Sequence, residues 1–184
     1  KENIEQLFQK YAKALIENNQ PIRILDIASG HGRYILDAVQ KLPKLPDSIL
    51  LRDYSEINVK AGQQMIQERG LEHIAQFVQA DAFDTQSIAS IDPRPTLGVV
   101  SGLYELFSDN DLLRRSLNGL SQAIEKNGYL IYTGQIWHPQ QEFIARALTS
   151  HREGDAWVMR LRSQAEMDAL VEAAGFKKVD QNID

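Results

Sequence analysis

Two hydrophobic periods alternate along this chain. Near its beginning, apolar residues at three- and four-residue spacing predict an amphipathic helix over residues 2–18. Short runs rich in β-branched residues follow, and each of them leads into a stretch with helical spacing. The runs predict six strands, at 22–27, 48–53, 75–80, 97–101, 129–133 and 176–179. The stretches between them predict helices at about 33–42, 55–69, 109–126, 140–150 and 163–175.

Residues that favour helix ends support these boundaries. Ser55 is a candidate N-cap for the helix after the second strand. Ser108 with Asp111, and Ser163 with Glu166, have the spacing of a capping box.

Strands that alternate with helices of this length are typical of βαβ units. The sequence therefore predicts one α/β domain over 1–184, with a Rossmann-like, mostly parallel twisted sheet and helices on both faces. Ligands of such sheets bind at the carboxyl ends of the strands, near the point where the strand order reverses. The functional residues are therefore expected in the loops after the strands.

Composition narrows the possible functions. The chain has 184 residues, no cysteine and a formal net charge of −5. The lack of cysteine excludes disulfides, thiolate metal sites and cysteine nucleophiles, and we expect a reducing, cytoplasmic compartment. The negative charge favours a small-molecule partner, since nucleic-acid binders carry basic surfaces. No apolar run approaches the ~20 residues of a membrane span, and the first residues are no signal peptide.

The loop after the first strand suits a close approach between backbone and ligand. It consists of an acid followed by small residues, and its members are Asp26, Ala28, Ser29, Gly30 and Gly32. The loop leads into a helix N-terminus, whose free N–H groups favour negative charge. A dinucleotide fingerprint starting at position 28 requires a small residue at 33, where this chain has Arg33. An acid with small residues at alternate positions fits without that conflict, and a plain strand-to-helix turn is the alternative.

Two further acids stand at the ends of the next two strands. Asp53 ends the second strand, and Asp81 follows the third. A carboxylate at the first position can accept both hydroxyls of a ribose, and one at the second suits the amino edge of an adenine. Taken singly, Asp53 could be an acid that complements a helix dipole, and Asp81 an ordinary loop acid. Three acids, each one βα unit apart, favour the ligand interpretation.

With these motifs, residues 22–179 resemble the class I S-adenosylmethionine-dependent methyltransferases. The resemblance implies S-adenosylmethionine as cofactor and S-adenosylhomocysteine as product. It divides the chain into an N-terminal helix (1–20), a cofactor half (21–101) and an acceptor-side half (102–184). The fold normally ends with a seventh, antiparallel strand, and we expect that strand to be missing because the chain stops soon after the sixth.

The resemblance also implies roles for single residues. The segment Asp26–Gly32 wraps the methionine part, Asp53 holds the ribose and Asp81 faces the adenine amino group. Other residues implied in cofactor binding are Arg33, Tyr54, Ala82, Phe83, Ser101, Gly102 and Leu103. Ala28 replaces the family's usual first glycine, which is tolerable if its φ is below zero.

Several stretches are similar to a narrower bacterial group of methyltransferases in which the domain is often fused to an α/β-hydrolase domain. They are LDIASGHGRYILDA (25–38), LLRDYSEINV (50–59), VVSGLYELFSDN (99–110) and YTGQIWHPQ (132–140). A fused or associated hydrolase domain is therefore a predicted partner. The acceptor of the methyl group does not follow from this resemblance.

Candidates for catalysis follow the fourth and fifth strands. Tyr104, Glu105 and His138 are candidate catalytic residues, and His138 would act as a general base. The alternatives are a surface histidine, a structural hydrogen-bond acceptor at Glu105, and pocket walls at Tyr104 and Trp137. The late arginines either hold an anionic acceptor or form a solvated face; they are Arg152, Arg160 and Arg162.

Methyl transfer to an unidentified small molecule is therefore the predicted function. The Ser101–Tyr104 segment lacks the Asn/Asp-Pro-Pro-Tyr/Phe motif of nucleic-acid N-methyltransferases, and no carboxylate cluster suggests a metal. One alternative is a non-catalytic module that binds S-adenosylmethionine or S-adenosylhomocysteine. Another is a nicotinamide-dependent oxidoreductase, which Arg33 disfavours.

Overall fold

Five parallel strands form a central sheet. The computed structural model describes residues 2–135, 141–147 and 159–183. The strands are β1 Arg23–Ile27, β2 Ser48–Asp53, β3 Ala75–Gln79, β4 Leu97–Val100 and β5 Tyr129–Tyr132. Their order is β3-β2-β1-β4-β5, and all four neighbouring pairs are parallel. The order reverses between β1 and β4, so the loops after these two strands flank the crevice where such sheets bind ligands.

Helices connect the strands and cover both faces, as predicted. They are α1 Glu2–Glu17, α2 Arg33–Val39, α3 Glu56–Glu68, α4 Thr85–Ala89, α5 Asn110–Ala123, α6 Gln141–Ala147 and α7 Gln164–Ala173. Because side chains of a strand alternate between faces, Ile24 packs with α1–α3 and Leu25 with α4, α5 and α7. Two buried apolar clusters result, one on each face of the sheet.

The predicted helix starts are confirmed at two positions and corrected at a third. Ser55 and Ser163 are N-caps, each accepting a hydrogen bond from a backbone N–H three residues later. The cap of α5 is Asp109, whose carboxylate accepts from the backbone N–H of Asp111 at 2.8 Å. The prediction of Ser108 was therefore wrong by one residue, because an aspartate one position later reaches the same free amide.

The predicted sixth strand at 176–179 is wrong. In the described part of the chain no strand follows β5, so the sheet has neither a sixth nor a seventh strand there. The segment instead continues toward α1, where the Asp180 carboxylate accepts hydrogen bonds from Lys10 Nζ at 2.7 Å and the Tyr11 hydroxyl at 3.2 Å. Val179 is 66% exposed. Side-chain contacts therefore hold this segment, and in the described residues it forms no strand beside β5.

Two short elements were not predicted. Helix α4 begins after Asp84, which accepts from the backbone N–H of Ser87 at 3.0 Å. A single 3₁₀ turn over Tyr104–Leu106 follows β4. Both elements are too short to show a hydrophobic period in the sequence.

Candidate functional site

The loop between β1 and α2 is fixed to the end of β2 by hydrogen bonds. The backbone N–H of Ser29 donates to the carbonyl of Arg52 at 2.9 Å, and the N–H of Arg52 donates to Ser29 Oγ at 3.2 Å. Ser29 Oγ in turn donates to the carbonyl of Asp26 at 2.8 Å. The loop is therefore held in shape by contacts that the chain makes with itself.

Three residues of this loop have left-handed backbone conformations. The φ angles are +55° at Ala28, +57° at Gly30 and +70° at Gly32. Two of these residues are glycines, which adopt such angles without steric cost. Alanine at position 28 is tolerable without strain only if its φ is below zero, and the structure does not meet this condition, because the turn places a left-handed residue there.

Glycines also allow α3 to pack closely on the sheet and the loop. A Cβ atom on Gly32 would lie 2.5 Å from Leu51 Cδ1. One on Gly62, in α3, would lie 2.1 Å from ring carbons of Phe77 and 3.2 Å from the carbonyl oxygen of His31. Gly62 therefore leaves no room for a side chain where α3 meets the sheet, whereas a side chain at Gly32 would require Leu51 to shift.

Asp53 joins the loops after β1 and β2. Its Oδ2 accepts from the backbone N–H of Gly30 at 2.9 Å. Its Oδ1 accepts from the N–H of Ser55 at 2.9 Å and from Asn58 Nδ2 at 3.0 Å. The side chain is buried, and Oδ1 already accepts two hydrogen bonds. Oδ2 accepts only one, so it retains a direction in which a ligand hydroxyl can donate.

Asp26 lies beneath the same loop and is fully buried at 0% exposure. Its Oδ1 accepts from the Tyr34 hydroxyl at 2.6 Å, and its Oδ2 has no hydrogen-bond partner among the described residues. Burial is the main influence and raises the pKa of the Asp26 carboxyl to about 7. The hydrogen bond from Tyr34 opposes that shift, and the charge of Asp53 adds to it. Burial, together with Asp26, raises the pKa of the Tyr34 hydroxyl well above its usual value.

The loop after β3 lies beside the end of β2. Asp53 pairs in register with Gln79, and Asp81 follows two residues later. Asp81 Oδ1 accepts from the backbone N–H of Phe83 at 2.9 Å. Phe83 itself is 1% exposed, and its ring packs edge-on against Phe107 at 4.7 Å between centroids. This packing argues against the predicted place of Phe83 beside an adenine ring.

The other predicted residues around these loops differ in exposure. Ala82 is half-buried, whereas Tyr54 is 59% exposed. His31 and Arg33 are exposed at the mouth of the loop. Ala82 and Tyr54 can therefore reach a ligand at this edge more readily than Phe83 can.

The segment after β4 separates into an outer and an inner part. Ser101 is half-buried and Gly102 is exposed, with the Gly102 N–H donating to Thr133 Oγ1 at 2.9 Å. Leu103 and Tyr104 are buried, and the Tyr104 hydroxyl lies 3.1 Å from Ser116 Oγ on α5. Burial raises the pKa of the Tyr104 hydroxyl. A core hydroxyl of this kind argues against the predicted catalytic role of Tyr104.

The late arginines do not form a free anion site in the described residues. Arg162 is 4% exposed, and its guanidinium donates to the carbonyls of Tyr104 and Phe107, each at 2.8 Å. Arg160 pairs with Glu166 at 2.6 Å. The predicted anion-binding role is therefore not supported for Arg162, which anchors the segment after β4. Arg152, Trp137 and His138 lie outside the described residues.

A small cleft lies at the carboxyl ends of β4 and β5. Its walls include Glu105, Thr133, Gln135, Arg160 and Met167. A larger cleft of about 240 Å³ lies at the opposite edge of the sheet, around Ile49, His73 and Pro93. The smaller cleft adjoins the loops described above and is the one that belongs to the candidate site.

Two features are absent from the residues that the structure describes, a cluster of metal ligands and a membrane-spanning helix. Within them, no three His, Asp or Glu side chains come together as a metal site would require. None of the helices in that part of the chain has the length and apolar character to span a membrane.

Four residues of the site were not predicted from the sequence. Tyr34 and Asn58 hold the two buried acids, Gly62 admits the close packing of α3, and Thr133 accepts from Gly102. A glycine inside a predicted helix is the only one of these with a sequence signal, since it suggests close packing.

The sheet order and the helices on both faces define a Rossmann-like α/β protein. The whole chain, residues 1–184, matches the model of a family described as "Putative methyltransferase", and it belongs to that family. It is 53% identical to a protein of Escherichia coli (strain K12) called "Uncharacterized protein YnbC". That alignment covers 100% of this chain and 31% of the relative, so the chain spans about a third of the relative's length.

Solved structures share the fold at low sequence identity. A S-adenosylmethionine-dependent methyltransferase from Clostridium acetobutylicum has a TM-score of 0.65 at 13% identity, covering 89% of this chain and 76% of that one. The O-methyltransferase NcsB1 from neocarzinostatin biosynthesis has a TM-score of 0.62 at 18% identity, covering 83% and 42%. NcsB1 was solved in complex with S-adenosylmethionine and 2-hydroxy-5-methyl naphthoic acid. The predicted methyltransferase fold and family are confirmed, and together they support S-adenosylmethionine as the cofactor.

Proposed function

We propose that this chain binds S-adenosylmethionine at the loops after β1, β2 and β3 and transfers its methyl group to a small-molecule acceptor. The hydrogen bond from the Gly30 N–H to Asp53 Oδ2, at 2.9 Å, carries the proposal. It places a buried carboxylate of β2 directly against the small-residue loop of β1. Asp81 lies in the loop after the adjacent strand β3, so the ribose-binding and adenine-binding acids would stand side by side.

The charges of the site suit this cofactor. S-adenosylmethionine supplies an electrophilic methyl group on a positively charged sulfur. Asp26, Asp53 and Asp81 bring carboxyl groups to one edge, and Arg33 is exposed at the mouth of the loop. Asp53 accepts the ribose hydroxyls in this proposal, while the half-buried Ala82 contacts the adenine.

The acceptor would enter at the cleft between the ends of β4 and β5. Glu105 and Gln135 line this cleft, and the carbonyl of Glu105 accepts from the backbone N–H of Arg160 at 3.0 Å. Because Glu105 lines the cleft and carries a carboxylate, we assign it to hold a donor group of the acceptor or to take its proton. The catalytic role of His138 stays a prediction. In-line positioning suffices where the acceptor is already nucleophilic.

A small acceptor is also what NcsB1 holds in its solved complex. This chain spans about a third of the Escherichia coli relative, and the proposal concerns the activity of this part alone. The fused or associated α/β-hydrolase domain stays a prediction.

Calorimetric titration with S-adenosylhomocysteine tests the cofactor half of the proposal. We expect saturable binding to the wild type, and Asp53→Ala should weaken it by about tenfold or more, since a hydrogen bond to a carboxylate contributes ~1.5–3 kcal/mol. Asp47→Ala is the matched control, because Asp47 also accepts a backbone N–H, that of Ile22 at 2.8 Å, at the opposite edge of the sheet.

The outcomes separate the competing functions. Equal weakening by Asp47→Ala and Asp53→Ala would point to a general loss of structure and not to a cofactor site. Binding of NADH without binding of S-adenosylhomocysteine would support the oxidoreductase and refute this proposal. Formation of S-adenosylhomocysteine from S-adenosylmethionine with a phenol, amine or carboxylic acid panel would separate an enzyme from a binding module.

A further inference from the structure

The buried acid of the first loop has an unusual environment. Asp26 is fully buried, and only one of its carboxylate oxygens has a hydrogen-bond partner, the Tyr34 hydroxyl at 2.6 Å. The second oxygen, Oδ2, has none among the described residues. Buried polar groups are nearly always satisfied in folded proteins, so an exception at a loop of this kind calls for a functional reason.

In the described part of the chain no positively charged group stabilises Asp26, since Arg52 on β2 directs its guanidinium to Ser87. Its register partners on β2 and β4 are Leu51 and Val99, both apolar. The titratable groups that influence it are Tyr34 on α2 and Asp53 at the end of β2. One donates a hydrogen bond and the other is a like charge. An ionised Asp26 therefore depends on hydrogen bonding for stabilisation by the protein, first from Tyr34 and to a smaller extent from Ser29.

A cationic ligand at this loop would change that balance. Opposite charges attract strongly where little water lies between them. A ligand that brings positive charge to the outer side of the loop therefore favours the ionised carboxylate, and an ionised carboxylate favours the ligand in return. Because the two effects are linked thermodynamically, affinity must vary with the protonation of Asp26.

We propose that Asp26 and Tyr34 form a proton-linked pair that makes binding of the cationic cofactor depend on the ionisation of Asp26, with Tyr34 as the positioning residue that keeps the carboxylate charged. The proposal rests on the function proposed above. It predicts that the site distinguishes S-adenosylmethionine from S-adenosylhomocysteine by charge, since only the former carries the sulfonium. The buried position of Asp26, whose pKa is raised to about 7, places this effect near neutral pH.

The test is the ratio of the two affinities as a function of pH. In the wild type, the preference for S-adenosylmethionine over S-adenosylhomocysteine should increase with pH up to about 7 and level off above it. Tyr34→Phe keeps the ring but removes the hydrogen bond that favours the charged form. The plateau should then begin roughly one pH unit higher, or more, because a hydrogen bond to a charged group is lost. Asp26→Asn should give a ratio without this increase.

Two controls make the comparison specific. Tyr11→Phe removes the hydroxyl of another tyrosine–aspartate pair, with Asp180 at 3.2 Å, far along the chain from the loop, and should behave as the wild type. Titration of the ligands themselves would appear equally in Asp26→Asn, so the difference between that variant and the wild type isolates Asp26.

A measurement on the wild type alone covers the case in which a variant fails to fold. Carbon-13 NMR of the aspartate carboxyl groups should show one pKa that falls when S-adenosylmethionine is added, and falls less with S-adenosylhomocysteine. A flat affinity ratio in the wild type, or the same plateau in wild type and Tyr34→Phe, would overturn the inference while leaving the cofactor site in place. Failure of both ligands to bind at any pH would overturn the proposed function as well.

Discussion

The left-handed backbone of Ala28 leads to a stability prediction in which relief of backbone strain outweighs two smaller opposing effects. Ala28 has a φ of +55°, which costs an L-residue ~1–2 kcal/mol relative to glycine. Ala28→Gly relieves this strain but adds ~0.4–1 kcal/mol of backbone entropy to the unfolded chain. It also removes a half-buried methyl group, at about 0.4 kcal/mol. The net result expected is a stabilisation of about 0.5 kcal/mol.

Ala61→Gly is the matched control for this change. Ala61 is also half-buried but lies inside α3, where glycine costs about 1 kcal/mol and no strain is relieved. The two variants remove the same atoms, so their free energies of unfolding should differ by about 1.5 kcal/mol in favour of Ala28→Gly. At ~2–4 °C per kcal/mol, their melting temperatures should differ by about 3–6 °C.

Urea unfolding followed by circular dichroism measures the difference, with equal m-values as the check that both variants unfold in the same way. Equal destabilisation by Ala28→Gly and Ala61→Gly would refute the reasoning, because it would mean that the loop does not strain its alanine. A normal titration with S-adenosylhomocysteine should accompany the stabilised variant, since the hydrogen bonds of Ser29 and Gly30 that hold the loop do not involve the side chain of Ala28.

Two further predictions concern the buried ionisable groups. Burial raises the folded-state pKa of Asp26 from 3.8 to about 7, so ionisation destabilises the fold: the penalty is absent below about pH 4, grows up to about pH 7 and is constant above. Between about pH 4.5 and 8, the wild type should therefore lose about 3 kcal/mol more than Asp26→Asn in urea unfolding, and parallel pH profiles would contradict this. Arg162→Met should cost about 3 kcal/mol because it leaves buried carbonyls without donors. Arg160→Met, at an exposed ion pair, should cost about 0–1 kcal/mol, and similar losses in the two variants would argue against the anchoring role of Arg162.

The cofactor side of the molecule is largely predictable because its signals are local. Each strand is a short apolar run, and Asp26, Asp53 and Asp81 stand where such runs end. Parallel register then brings those ends to one edge without further information, as in the pairing of Asp53 with Gln79. Helix α3 follows in the same way from its cap at Ser55.

The contacts that were missed connect residues without a local pattern. Tyr34 has the spacing of any helical residue, and nothing in the sequence shows that its hydroxyl reaches Asp26. Arg162 lies 58 residues from Tyr104, whose carbonyl it binds. Phe83 follows an acid in a loop, and whether it turns toward a ligand or into the core depends on Phe107 in another segment. Packing between distant elements determines these contacts, and the hydrophobic periodicity of the sequence does not encode that packing.

The hydrogen bonds that hold the loop after β1 determine which part of the site contributes a free-energy cost to cofactor binding. The contacts of Ser29 with Arg52 and of Gly30 with Asp53 satisfy the loop within the chain. A cofactor that binds there does not have to order the loop, so little affinity is lost to conformational entropy. The unsatisfied group beneath the loop is the Asp26 carboxyl, whose Oδ2 has no partner in the described residues. Affinity should therefore respond to pH and to ligand charge more strongly than to substitutions that stiffen or loosen the loop. The Ala28→Gly and Tyr34→Phe titrations together measure these two sensitivities.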